Sequence, residues 1–190
     1  MRRRRRIDGP SPKPLLRVLE SERLTLVAAS PELIAFDLAG TQELASALEA
    51  DVPIEWPPEL FSTTVMRVAQ NQLLDPAEQG WSAWYLLLRG SERPILVGLC
   101  QFKGRPDPAG SVEIAYSILP GYRSRGFATE AVARLVEWAF GHRNVVQVAA
   151  ETMPHRTRSI RIMEKNGFVL EGPGSEQGVV RYVLRKSGGR

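Results

Sequence analysis

Residues 112–140, VEIAYSILPGYRSRGFATEAVARLVEWAF, constrain this chain more than any other stretch. The apolar run 112–119 reads as a strand, and Pro120-Gly121 breaks it. From 126 to 140, Ala131, Val132, Leu135, Val136, Ala139 and Phe140 form an i, i+4, i+8 stripe and read as an amphipathic helix. A strand that enters a helix through a glycine-containing turn creates an anion site. The first helical N–H groups have no intrahelical partner, and the helix dipole places partial positive charge on them. Gly126 lets a phosphate approach the backbone with no Cβ in the way. Arg123 and Arg125 add forked donors and fixed charge. A phosphate or pyrophosphate bound by residues 123–128 is the physical expectation. The turn is neither GxxxxGK[ST] nor GxGxxG followed about 20 residues on by an acid, so nucleoside-triphosphatase and dinucleotide folds lack support. Spacing alone leaves open a solvated Arg-rich turn that merely caps a helix.

The surrounding pattern is mixed. Residues 22–28 alternate as a first strand, and Ser30-Pro31 signals a helix start. Helices are expected over 31–38 and 41–50. Pro53, Pro57 and Pro58 make 51–60 a loop. Ser62 or Thr63 caps a helix to about Leu74, with Val65, Val68, Ala69 and Leu73 on one face. Strands follow at 84–88 and 95–102, separated by turn-forming segments, then at 112–119. After the long helix come a strand at 145–150, a helix at 157–166 ended by Gly167, and a strand at 179–184. The fold class is α+β, with a mostly antiparallel central sheet and one βαβ-like crossover over 112–150.

The pI of about 9.6 invites a nucleic-acid reading, but the charge is not spread over the chain. The first nine residues, MRRRRRIDG, hold five Arg and one Asp, and the remainder is balanced at 20 basic and 20 acidic residues. The body has no net field to draw in polyanions, so nucleic acid is not an expected partner. Residues 1–14 read as a disordered basic, Pro-rich arm, 15–186 as one domain and 187–190 as a tail. No run approaches the roughly 18 apolar residues of a membrane span, and no apolar segment follows the basic start as a secretory signal requires. A cytoplasmic setting is the expectation. The single Cys100 excludes an internal disulfide and sits in an apolar strand, so it reads as core. His142 and His155 are not spaced as a metal pair, so no metal is expected.

Arg123-Ser124-Arg125-Gly126-Phe127-Ala128 matches the [QR]-x-x-G-x-[GA] motif of the GNAT superfamily of acyl-CoA-dependent N-acetyltransferases. Together with ERLTLVAASPE near the start and SIRIMEKNGF near the end, in that order, it makes the chain resemble the RimJ/RimL-like branch, which includes ribosomal-protein N-terminal acetyltransferases. The resemblance covers about residues 15–186. It implies a twisted sheet flanked by helices, in which the strand after the long helix splays from strand 112–119 and leaves an acyl-CoA slot. It implies that acetyl-CoA sets its pyrophosphate on the backbone of Arg123, Ser124, Arg125, Gly126, Phe127, Ala128 and Thr129. Its pantetheine arm would pair with the backbone of Ile118 and Leu119. A homodimer is among the states expected of such proteins.

Within PHRTRSIRIMEKNGF the family's N-x-x-S reads Arg156 in place of Asn, followed by Ser159. Arg156 reads as a cofactor contact, reaching a phosphate or carbonyl, or as a side chain facing solvent. A hydroxyl at Ser159 can donate to the leaving thiolate, whose parent thiol has a pKa near 8.5. The alternative is a first-turn serine bonded to nearby backbone. A neutral amine can attack the thioester directly, so the work is positioning, polarisation and proton removal. Glu113 is the first candidate base, set against a salt-bridged surface carboxylate. Glu176 is a second, and Tyr116 is a residue of packing or of hydroxyl chemistry. Trp56 reads equally as a substrate wall or a loop anchor. The activity expected is acetyl transfer to a primary amine, a protein N-terminus or a small molecule. The alternatives are a CoA-binding module without turnover and, last, nucleic-acid binding through the Arg arm.

Overall fold

A computed structural model describes residues 17–187, so the basic arm and the last three residues lie outside the described residues. In chain order the elements are β1 (Val18–Glu20), β2 (Leu24–Ala28), α1 (Pro31–Ala39), α2 (Thr41–Leu48), α3 (Thr63–Gln72), β3 (Ala83–Leu88), β4 (Ile95–Phe102), β5 (Ser111–Ile118), α4 (Phe127–Phe140), β6 (Gln147–Thr152), α5 (Thr157–Lys165), β7 (Val169–Pro173) and β8 (Val180–Arg185). They form one eight-stranded sheet in the order β1-β2-β3-β4-β5-β6-β8-β7. Every neighbouring pair is antiparallel except β5 and β6, which are parallel and joined through α4. The α+β expectation with its single crossover holds.

Helices cover both faces of the sheet, which is why β2 to β4 read as continuous apolar runs rather than strict alternation. Ala131, Val132, Leu135 and Ala139 of α4 pack on Leu24, Leu26, Trp84, Leu86, Val97 and Phe102. Leu33, Ile34, Leu44, Met66 and Ala69 of α1 to α3 pack on Val27, Tyr85, Leu87, Leu96 and Leu99 from the other side. Cys100 is fully buried in the first of these layers.

Local signals set the helix starts. Ser30 Oγ accepts from the Leu33 N–H at 3.1 Å with Pro31 in the first position, and Ser62 caps α3 in the same way. The face of α3 differs from expectation. Met66, Ala69 and Leu73 are buried, while Val68 is 62% exposed. The helical stripe runs from Met66 at i, i+3 and i+7, and a valine one residue off that stripe points to solvent. Two strands carry no sequence signal, β1 and β7. Both lie at sheet edges, and β7 exposes Val169 and Leu170, so neither alternates apolar and polar faces.

Candidate functional site

The crossover opens a gap. β5 and β6 are in register only from Ser111 to Glu113 against Gln147 to Ala149, yet both strands run on, to Ile118 and Thr152. Past that point they diverge. The N–H of Leu119 donates to Val97 at 2.9 Å and the carbonyl of Glu113 accepts from Lys103 at 2.9 Å. Antiparallel pairing alternates, so odd-numbered residues of β5 give their backbone groups to β4, and Ile114, Tyr116 and Ile118 turn theirs toward the gap.

The gap continues as a cleft of about 610 Å³ bounded by β5, the turn before α4, the first turns of α5 and the tip of the 51–62 loop. Ile118, Arg123, Ser124, Gly126, Phe127, Ala128, Thr129, Arg156 and Ser159 line it together. The turn is shaped for its place. Ser124 and Gly126 both have positive φ, at 63° and 86°, and curl the backbone before α4. A Cβ on Gly126 would come within 3.2 Å of the Arg23 guanidinium as well as straining φ. From Ser124 to Thr129 no backbone N–H donates to any acceptor among the described residues. These amides sit where the helix dipole is positive, and five of the six residues face the cleft.

Behind the turn, Glu130 holds Arg23. Its carboxylate accepts from the Arg23 N–H at 2.6 Å, from Arg23 Nε at 2.8 Å and from Ser21 Oγ at 2.7 Å. Arg23 in turn donates to the Arg125 carbonyl at 2.9 Å and lies 4.7 Å over the Phe127 ring. Burial disfavours the ionised Glu130, but the bonds and charge of Arg23 and the Ser21 hydroxyl outweigh it and hold the carboxyl below its usual value.

Several expected residues fall elsewhere. Leu119 is buried, with its N–H on Val97 and its carbonyl accepting from Tyr122, so its backbone is spent inside the protein. Arg125 is exposed and sits over the Tyr122 ring at 5.6 Å, outside the cleft lining. Glu113 forms an ion pair with Lys103 at the closed end of the strand pair and is not part of the lining. Glu176 is exposed in the β7–β8 loop and is not part of the cleft lining. Trp56 is an anchor: it is buried, donates to Asp37 at 2.7 Å and stacks on Tyr85. His142 packs edge-on against both Trp81 and Trp138, whereas His155 lines the cleft.

The Ser159 hydroxyl makes no hydrogen bond to the protein among the described residues, so it is not spent on nearby backbone. Tyr116 donates instead to the Ser159 carbonyl, at 3.0 Å. One residue of the cleft has no sequence signal. Glu59 reaches Arg123 at 3.4 Å and Arg156 at 3.3 Å, bridging the two sides of the cleft. No group of three or more His, Cys, Asp or Glu among the described residues could hold a metal. No helix among them is long and apolar enough to cross a membrane.

Residues 23–169 match the acetyltransferase (GNAT) domain family. The chain belongs to the GNAT acetyltransferases. It is 26% identical over 170 residues to the uncharacterized N-acetyltransferase YjdG of Bacillus subtilis (strain 168), covering 88% of this chain and 99% of that one. Its fold is similar to a GNAT-family acetyltransferase of Bacillus anthracis, with a TM-score of 0.60 at 21% identity over 89% of this chain and 98% of that one. It is similar also to RimL, a ribosomal L7/L12 alpha-N-protein acetyltransferase, with a TM-score of 0.62 at 16% identity over 94% and 99% of the two chains. As a GNAT N-acetyltransferase the chain is an enzyme of acetyl transfer.

Proposed function

We propose that this GNAT enzyme takes acetyl-CoA into the cleft between β5, the turn before α4 and α5, and transfers the acetyl group to a primary amine by direct attack in a ternary complex. The observation that carries the reading is the row of amides from Ser124 to Thr129, unpartnered among the described residues, on the same cleft as the Ser159 hydroxyl, which likewise has no protein partner among them. A pyrophosphate fits those amides because it offers acceptors to donors that the protein leaves unused, at a positive helix end. Arg123 and Arg156 supply charge from two sides. The gap-facing N–H of Ile118 suits an amide arm laid along β5, while its carbonyl is already taken by Arg123 Nε at 2.8 Å.

Acetyl-CoA supplies an activated thioester. The chain supplies position and a donor. As the amine nitrogen bonds to the acetyl carbon and the carbon–sulfur bond breaks, the electron pair goes to sulfur. Ser159 Oγ–H donates to that developing thiolate. The amine proton leaves through water in this scheme, since Glu113 is held by Lys103 and Glu176 lies outside the cleft.

For the acceptor, the RimJ/RimL-like sequence blocks and the fold likeness to RimL favour a protein N-terminus. A cytoplasmic setting accords with such an acceptor. The test is free-thiol release from acetyl-CoA with a panel of N-terminal peptides, polyamines and amino acids. Turnover with peptides supports the reading. CoA binding without turnover across the panel would instead favour a binding module of the same fold.

A further inference from the structure

The cleft has two walls that the sheet does not join. β5 and β6 stop pairing after Glu113 and Ala149, and α5 follows β6, so α5 is tied to β5 by side chains alone at this depth. Among the described residues one hydrogen bond connects them, from the Tyr116 hydroxyl to the Ser159 carbonyl at 3.0 Å. Tyr116 stands on the face of β5 that carries Val112, Ile114 and Ile118, and its ring packs in the same apolar layer as Met163 and Ile162 of α5. The carbonyl it bonds belongs to the residue whose hydroxyl lines the cleft and has no protein partner among the described residues.

We infer that Tyr116 is a positioning residue for Ser159, fixing the first turn of α5 against β5 and so setting where the Ser159 hydroxyl meets the thioester sulfur. This rests on the role given to Ser159 above. The geometry explains why one bond matters. An acyl arm laid against the gap-facing backbone of β5 takes its position from that strand, while the hydroxyl takes its position from α5. Whatever fixes one to the other fixes the distance between hydroxyl and sulfur. A displacement on the order of 1 Å at such a contact can cost up to about 100-fold in rate. Burial, then the neighbouring Cys100, raises the Tyr116 phenol, so it remains a protonated donor across the working pH range.

The test is a double-mutant cycle of Tyr116→Phe and Ser159→Ala. It is read as kcat and KM for acetyl-CoA with a peptide or amine from the panel above that supports turnover, and as CoA affinity by calorimetry. Tyr116→Phe removes one oxygen and is expected to lower kcat about tenfold, with KM for acetyl-CoA and CoA affinity within about twofold. In the Ser159→Ala background the same change is expected to do almost nothing, because the hydroxyl it places is gone. A purely structural tyrosine would lower kcat by the same factor in both backgrounds, and that result overturns the inference while leaving Ser159 in place. An unchanged kcat in the single Tyr116→Phe variant overturns it too. Full activity of Ser159→Ala overturns the reading of Ser159 itself, and the inference with it.

Discussion

Arg23 and Glu130 lock the N-terminal turn of α4 from behind: the carboxylate takes both the backbone N–H and Nε of the arginine, at 2.6 and 2.8 Å. The guanidinium is engaged behind the turn rather than in the cleft lining. It is held against the Arg125 carbonyl and the Phe127 ring instead. The turn before α4 therefore has a back wall supplied by a residue 102 positions before Arg125.

Glu130→Gln tests that lock. The folded carboxyl lies below its usual value, so the ionised form contributes stability in full at neutral pH. That contribution is lost as pH falls through the unfolded value, about 4.3, toward the lower folded one. Arg23 is 42% exposed, so solvent screens part of the pairing. Urea unfolding at pH 7 is expected to show a loss of about 1 kcal/mol. The fall in stability on acidification is expected to be shallower than in the parent protein. An acid branch as steep as the parent's would mean that another carboxylate sets it.

Gly126→Asp addresses the turn itself. The residue sits at φ 86°, and any Cβ there faces Arg23 at 3.2 Å. A carboxylate at this point also repels a phosphate from the amides. CoA affinity by calorimetry is expected to fall at least about 100-fold. Gly126→Ala, which adds strain without charge, is expected to lose about 1 kcal/mol of stability and to keep measurable CoA binding. Equal CoA affinity in a folded Gly126→Asp protein would remove the turn from the cofactor site.

Glu113→Gln separates two readings of one carboxylate. Its side chain is ion-paired with Lys103 and lies where β5 and β6 are still hydrogen-bonded, short of the gap. Turnover is therefore expected to stay within about threefold of the parent, since a screened pair of this kind contributes about 1 kcal/mol or less. A loss of about 100-fold or more, with folding intact, would restore Glu113 as the base.

What could be read in the sequence was local. The strand, glycine turn and helix over 112–140 are consecutive, so chain geometry alone brings the undonated N–H groups of 124–129 to one turn. That Ser159 lies on the cleft follows from the same locality, since it sits at the start of one short helix block. Leu119 was misread because the partner of its N–H, Val97, is set by the register of β4, which no local pattern encodes. Glu113 and Lys103 are brought opposite by the same β4–β5 ladder. β7 stayed hidden because its apolar residues face solvent at a sheet edge, so burial writes no period into it. Trp56 could not be resolved without seeing Asp37, on α1.

Glu59 is the residue no pattern announced, and it gives the sharpest prediction about affinity. Its two oxygens reach Arg123 from one side and Arg156 from the other, at 3.4 and 3.3 Å. Both guanidiniums line the cleft, so the carboxylate competes with any phosphate for the same donors. It is 58% exposed, which makes each pair weak, on the order of 0.5 kcal/mol. Glu59→Gln keeps the size of the side chain and removes the charge. CoA is expected to bind about three- to tenfold more tightly to this variant, in line with that energy and with one less negative charge facing the phosphates. The gain is expected to shrink as salt rises from 50 mM to about 500 mM, because screening weakens competitor and ligand alike. Calorimetric titration of CoA at the two salt concentrations checks both statements. Unchanged or weaker CoA binding in Glu59→Gln would mean that the carboxylate helps to hold the two arginines in place rather than contesting them.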